Sequence, residues 1–82
     1  MLVKIENVEV RGHEVKESKK DGKPYIIVRF EDATGRSHEI LDRDMENEKF
    51  YQRGVQGHIY AELDIGRSFT RFTVSRFEQL AD

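Results

Sequence analysis

The sequence predicts an all-β domain, one small barrel of five strands, and three observations predict it. Apolar and polar residues alternate with a period of two over most of the chain, the mark of strands buried on one face. Turn signals at Asp21-Gly22, Thr34-Gly35, Arg53-Gly54 and Ile65-Gly66-Arg67 divide the 82 residues at strand-sized intervals. The stretch 42–52 lacks the alternation, tolerates helix and opens on aspartates suited to capping. A chain of this length buries about 60–65% of its unfolded surface. That suits a single domain over 1–82 with one modest core, and no linker or repeat interrupts it.

The first strand covers Leu2 to Lys16. Val3 and Ile5 lie in one phase and Val8 and Val10 in the other, so a bulge is expected near Glu6-Asn7, bending the strand between two sheets. The second, Tyr25 to Glu31, puts Ile26, Val28 and Phe30 on one face and Tyr25, Ile27, Arg29 and Glu31 on the other. A short third strand, Arg36 to Leu41, leads into one or two helical turns within 42–52. The fourth has the clearest pattern: Gly57, Ile59, Ala61, Leu63 and Ile65 alternate with His58, Tyr60, Glu62 and Asp64. After the turn at Gly66 the fifth strand runs from Phe69 to Phe77, with Phe72 and Val74 inward and Phe69, Arg71, Thr73 and Ser75 outward. Three strands, a short helical connection and a final hairpin match the OB-fold, a five-stranded Greek-key barrel that serves oligonucleotides and oligosaccharides. An SH3-like barrel is the nearest alternative.

Composition narrows the function. The absence of cysteine removes disulfides, thiolate nucleophiles and cysteine-bound zinc together, and makes a reducing cytoplasm the expected compartment. No apolar run is long enough to span a bilayer, and Met1-Leu2-Val3-Lys4-Ile5 lacks the layout of a signal peptide, so no membrane partner is expected. His13, His38 and His58 occur singly on separate strands, which gives no metal-ligand spacing. Asp42, Asp44, Glu46 and Glu48 lack the glycine and terminal glutamate of a calcium loop, and a solvated helix start is the expected reading. Tyr51 has no activating base or metal partner near it in sequence. With no phosphate-cradling loop and no nucleophile elbow, neither an enzymatic activity nor a cofactor has a residue set to support it.

Charge points to binding. The net charge is −2, yet its placement is uneven. Residues 11–29 carry six Lys/Arg against three acids, and 66–77 carry Arg67, Arg71 and Arg76 against none, so each segment is +3. Residues 30–50 reverse this, with seven acids against Arg36, Arg43 and Lys49. One basic and one acidic side are expected. Single-strand binders need cations that follow the backbone and rings on which bases stack, and this chain interleaves the two. Lys19, Lys20 and Lys23 precede Pro24-Tyr25, Arg29 lies further along the outward face past Ile27, and the last hairpin supplies Arg67, Phe69 and Arg71. Pro24 locks φ ahead of Tyr25 and Gly22 permits the preceding turn. Tyr25 and Phe69 could equally plug the barrel or cover a neighbouring strand; Phe50 is the better plug, beneath the helical connection. Arg76 shares a phase with Phe72 and Val74 unless the strand bulges.

Taken together, Met1, Lys4 and Ile5 at the start, Gly22-Lys23-Pro24-Tyr25 after a basic loop, Gly54 leading to Tyr60, and Asp64-Ile65-Gly66-Arg67-Ser68-Phe69 ahead of Arg76-Phe77 resemble the filamentous-phage type of single-stranded DNA-binding protein. These are small OB-fold dimers that coat a strand. The likeness spans nearly the whole chain, in order. It implies a homodimer that protects single-stranded DNA during replication or transfer of a phage or other mobile element. Lys20 would match a backbone-contacting arginine in the loop, Tyr25 and Ile27 the outward contacts of the second strand, Phe69 the hairpin ring and Arg76 a phosphate contact. The acidic stretch at 42–48 and the negative net charge depart from a cooperative coating protein. Two other functions fit the residues: a protein-interaction module offering its acidic 42–48 face to a basic partner, and a binder of single-stranded RNA.

Overall fold

The computed structural model describes residues 1–80. Five strands, β1 (Leu2–Glu17), β2 (Pro24–Glu31), β3 (Ser37–Asp42), β4 (Gln56–Ile65) and β5 (Thr70–Gln79), close into a barrel in the order β1-β2-β3-β5-β4. A 3-10 turn, Met45–Phe50, fills the connection from β3 to β4. All neighbours are antiparallel except β3 and β5, which run parallel and meet at Leu41 and Thr73. This is the OB-fold arrangement.

β1 serves two sides of the barrel because it bends. Its register with β4 shifts between Ile5 and Val8, where Asn7 takes φ +57, a left-handed conformation that asparagine tolerates better than most residues. That is the bulge expected from the phase change. A second shift, against β2 between Val10 and Gly12, has no counterpart in the hydrophobic pattern. Val8, Val10, Ile26, Val28, Ile40, Ile59, Ala61, Val74 and Phe77 fill the interior, with Phe30 beside them. Each fully buried aliphatic or phenyl side chain contributes about 1.5–3 kcal/mol. Phe77 packs down on Gly57, where a Cβ would come within 2.6 Å of its ring, so only glycine lets the ring and β4 approach this closely. Phe50 stacks on Phe77 at 5.6 Å and Tyr51 meets it edge-on at 5.5 Å, so the helical connection does plug that end.

Four local expectations change. Asp42 is no solvated helix start: it ends β3 fully buried and accepts from the Asp44 amide (2.8 Å), the Asn47 amide group (2.9 Å) and the Tyr51 hydroxyl. A buried carboxylate persists when its lone pairs are met, and the capping role passes to Asp44, which accepts from the Glu46 amide. Tyr51 is likewise core, and burial, reinforced by the Asp42 carboxylate, pushes its phenol far above the ordinary range. Phe72 is 39% exposed and Ile65 71%, although both lie in the inward phase, because the β4–β5 hairpin runs on past the barrel. Finally, β5 begins at Thr70 rather than Phe69 and skips Ser75 in its pairing with β4, so Arg76 sits opposite Tyr60 on the outer surface. Among the described residues no helix is long and apolar enough to cross a membrane.

Candidate nucleic-acid interface

A groove of about 580 Å³ opens on the outer surface where the β1–β2 loop faces β3 and β5. Lys16, Lys19, Lys20, Arg43 and Arg71 line it against one carboxylate, Glu17, with Tyr25 and Leu41 supplying its apolar part. Strand register explains the gathering. Lys16 pairs with Tyr25 across β1–β2, Ile27 with Leu41 across β2–β3, and Leu41 with Thr73 across β3–β5. Tyr25, Ile27 and Leu41 are all half-buried, an apolar strip between cations.

The loop that carries the lysines is pinned through its backbone. Ser18 N–H donates to the Lys23 carbonyl (2.9 Å), Gly22 N–H to the Ser18 carbonyl (2.8 Å) and Lys23 N–H to Asp21 Oδ1 (3.0 Å). The ammonium groups are left over. Among the described residues, no carboxylate lies within ion-pair distance of Lys19, Lys20, Arg43 or Arg71, and Lys16 reaches Glu14 only at 4.0 Å.

Of the residues singled out from sequence, Lys19, Lys20, Tyr25 and Arg71 meet in this groove and Ile27 borders it. Phe69 stays close through Arg71, whose guanidinium lies 5.3 Å from the ring centre, and the ring rests on Gly66 so tightly that any Cβ there would collide with it. Phe69 is 53% exposed and therefore plugs nothing. Lys23 and Arg67 are exposed in turns outside the groove. Arg29 lines a separate depression of about 390 Å³ together with Arg11, His38 and Glu39, and its guanidinium is 3.9 Å from Glu14. Arg76 lies on the β1–β4–β5 surface, its guanidinium 4.1 Å from the Tyr60 ring centre; Lys4 approaches the same ring at 5.5 Å. The Lys4 ammonium is held above its ordinary pKa, by Tyr60 first and also by Glu6.

Lys16, Leu41 and Arg43 are groove residues that sequence reading missed. Lys16 becomes visible only when β1 is aligned on Tyr25, and Arg43 is hidden inside the acidic segment. The three histidines each tie a strand to a loop or neighbour: His13 to the Tyr51 carbonyl (2.7 Å) and Glu48 (3.0 Å), His38 to Asp32 (2.7 Å), and His58 by accepting from the Asn7 amide (3.1 Å). Among the described residues no group of three or more His, Asp or Glu could hold a metal ion. The chain matches no protein-family model, no curated protein and no solved structure.

Proposed function

We propose that the protein binds single-stranded nucleic acid, DNA in the first instance, with low sequence preference and without chemistry on the strand. The observation that carries this reading is the groove: five cations converge on an apolar strip headed by a tyrosine, with one acid among them. Phosphates would release counterions as they meet Lys16, Lys19, Lys20, Arg43 and Arg71, while a base stacks on Tyr25. Duplex is a poorer guest, since its bases are already stacked and cannot use the tyrosine. In the same reading the protein is a cytoplasmic homodimer that protects strand intermediates of a phage or mobile element.

Fluorescence anisotropy of labelled oligo-dT, with oligo-U and duplex of equal length alongside, tests it. Saturable, salt-sensitive binding of the single strands above duplex is expected, with log K falling against log salt by about 0.7 for each phosphate neutralised. Absence of binding at low salt would sink the proposal; a preference for oligo-U would move it to RNA.

A further inference from the structure

We propose that the bound strand does not stop at the groove but crosses β5 to a second station, where Lys4 and Arg76 take a phosphate beside Tyr60. The inference rests on the groove reading above and extends it around the barrel. Register carries it first. Thr73 is the partner of both Leu41 in the groove and Glu62 on β4, so the outer side of β5 adjoins the groove directly. Two residues beyond the Leu41–Thr73 pair come Arg43 at the groove wall and Ser75, the residue skipped in the β4 pairing. That skip turns Arg76 outward opposite Tyr60, and Tyr60 is in turn paired with Lys4 on β1. From Tyr25 to Tyr60 the path crosses three strand spacings, roughly 14 Å.

The chemistry of the station matches that of the groove. Two cations from different strands approach one ring. A guanidinium stacked on an aromatic face keeps its N–H fork available, the geometry that grips phosphate in a bidentate manner. Among the described residues Arg76 has no ion pair and is the unpaired cation of the station; Lys4 has Glu6 at 3.5 Å and would have to leave it to share the phosphate that Arg76 holds. Glu62, the acid in the adjacent row, is engaged by the Met1 amino group at 3.1 Å. A lone cation packed on a tyrosine would be ordinary surface structure. Two of them, continuous with a basic groove, form a path suited to a polyanion.

The test is anisotropy with oligo-dT of about four and about ten nucleotides, within or near the span of OB-fold site sizes, at one protein per strand. For the wild type the longer oligonucleotide should show a salt slope steeper by about 0.7 than the shorter, for the one phosphate held at the second station. The Lys4→Gln/Arg76→Gln pair should remove that length-dependent gain and weaken the longer strand about fivefold at 0.1 M salt. Lys4→Arg/Arg76→Lys, which keeps both charges, should restore the slope. Equal salt slopes for the two lengths in the wild type would overturn the second station and leave the groove standing. So would equal weakening of both lengths by the glutamine pair. No binding of either length by the wild type would overturn the groove reading and this one together. Should the glutamine pair lower the melting temperature, the two wild-type slopes still decide.

Discussion

Two depressions on the outer surface contain arginines, and they differ in what those arginines already hold. Beside Phe30, Arg11 donates to Glu31 at 2.7 and 3.0 Å and comes within 3.9 Å of Glu9, while Arg29 stands 3.9 Å from Glu14. In the groove beside Tyr25, Lys19, Lys20, Arg43 and Arg71 have no carboxylate at ion-pair distance among the described residues. A count of basic residues treats the two places alike. Pairing separates them: an arginine neutralised by its own neighbours has little to offer a phosphate, because the partner carboxylate must first be displaced and left beside the new anion. The groove is where charge is left over, and surplus charge attracts a polyanion.

The largest effect expected from this contrast comes from neutralising the groove. Lys20→Gln, Arg43→Gln and Arg71→Gln together should lower the salt slope by about 2 and weaken oligo-dT binding about a hundredfold at 0.1 M salt, taking each contact at about 0.7 in log–log slope. A variant that binds like the wild type would break the contrast. Tyr25→Ala comes next, with a loss of about 1–3 kcal/mol in affinity, roughly 5- to 150-fold, and no change in salt slope because no charge is removed. Thermal melting of the same variant separates the roles: a fall in stability as large as the fall in affinity would make Tyr25 a packing residue.

The barrel was legible because its signal is periodic. Alternation in β2 and β4, the phase change at Glu6-Asn7 and the unpatterned stretch before Tyr51 gave strand number, bend and connection. The groove was half legible. Lys19, Lys20 and Tyr25 are neighbours along the chain, but Lys16, Leu41 and Arg43 reach it through cross-strand register, which pattern alone leaves open. Arg43 was masked by averaging: it stands among acids, one of which, Asp42, is withdrawn into the core by Tyr51 and Asn47. Arg76 turned on a single skipped residue, Ser75: a charge in the phase of Phe72 and Val74 leaves a bulge as one alternative, and only the pairing with β4 places it. Arg29 was placed with the binding cations because it shares a face with Tyr25; distance along the strand and Glu14 set it apart.

Arg29 and Arg11 therefore give a smaller and sharper test. Arg29→Gln should change oligo-dT affinity less than about threefold, within the range of an exposed ion pair at about 0–1 kcal/mol. Arg11→Gln should act on stability within the same range and leave binding alone. Equality of Arg29→Gln with Arg71→Gln in the binding assay would erase the distinction between the two depressions.

The smallest effect is one of pH, and it belongs to the depression beside Phe30, which His38 lines. Asp32 closes the β2–β3 turn, accepting from the Thr34 hydroxyl (2.6 Å), His38 (2.7 Å) and the Thr34 and Arg36 amides (2.9 and 3.1 Å). The Thr34 hydroxyl first, then His38 and the Arg36 amide, hold its carboxyl far below the usual range. An unfolded aspartate titrates near 3.9. Because the folded pKa is the lower one, the stabilisation is complete above about pH 4 and is lost as pH falls from there toward the folded value. Urea midpoints of the wild type should thus decline on acidification through this window more steeply than those of Asp32→Asn, which cannot titrate at that position. The exposure of this turn keeps the difference small. Parallel midpoints for the two proteins would mean that the turn is held by its backbone bonds alone, such as Gly35 N–H to the Asp32 carbonyl at 2.9 Å, and that the carboxylate network around His38 adds nothing.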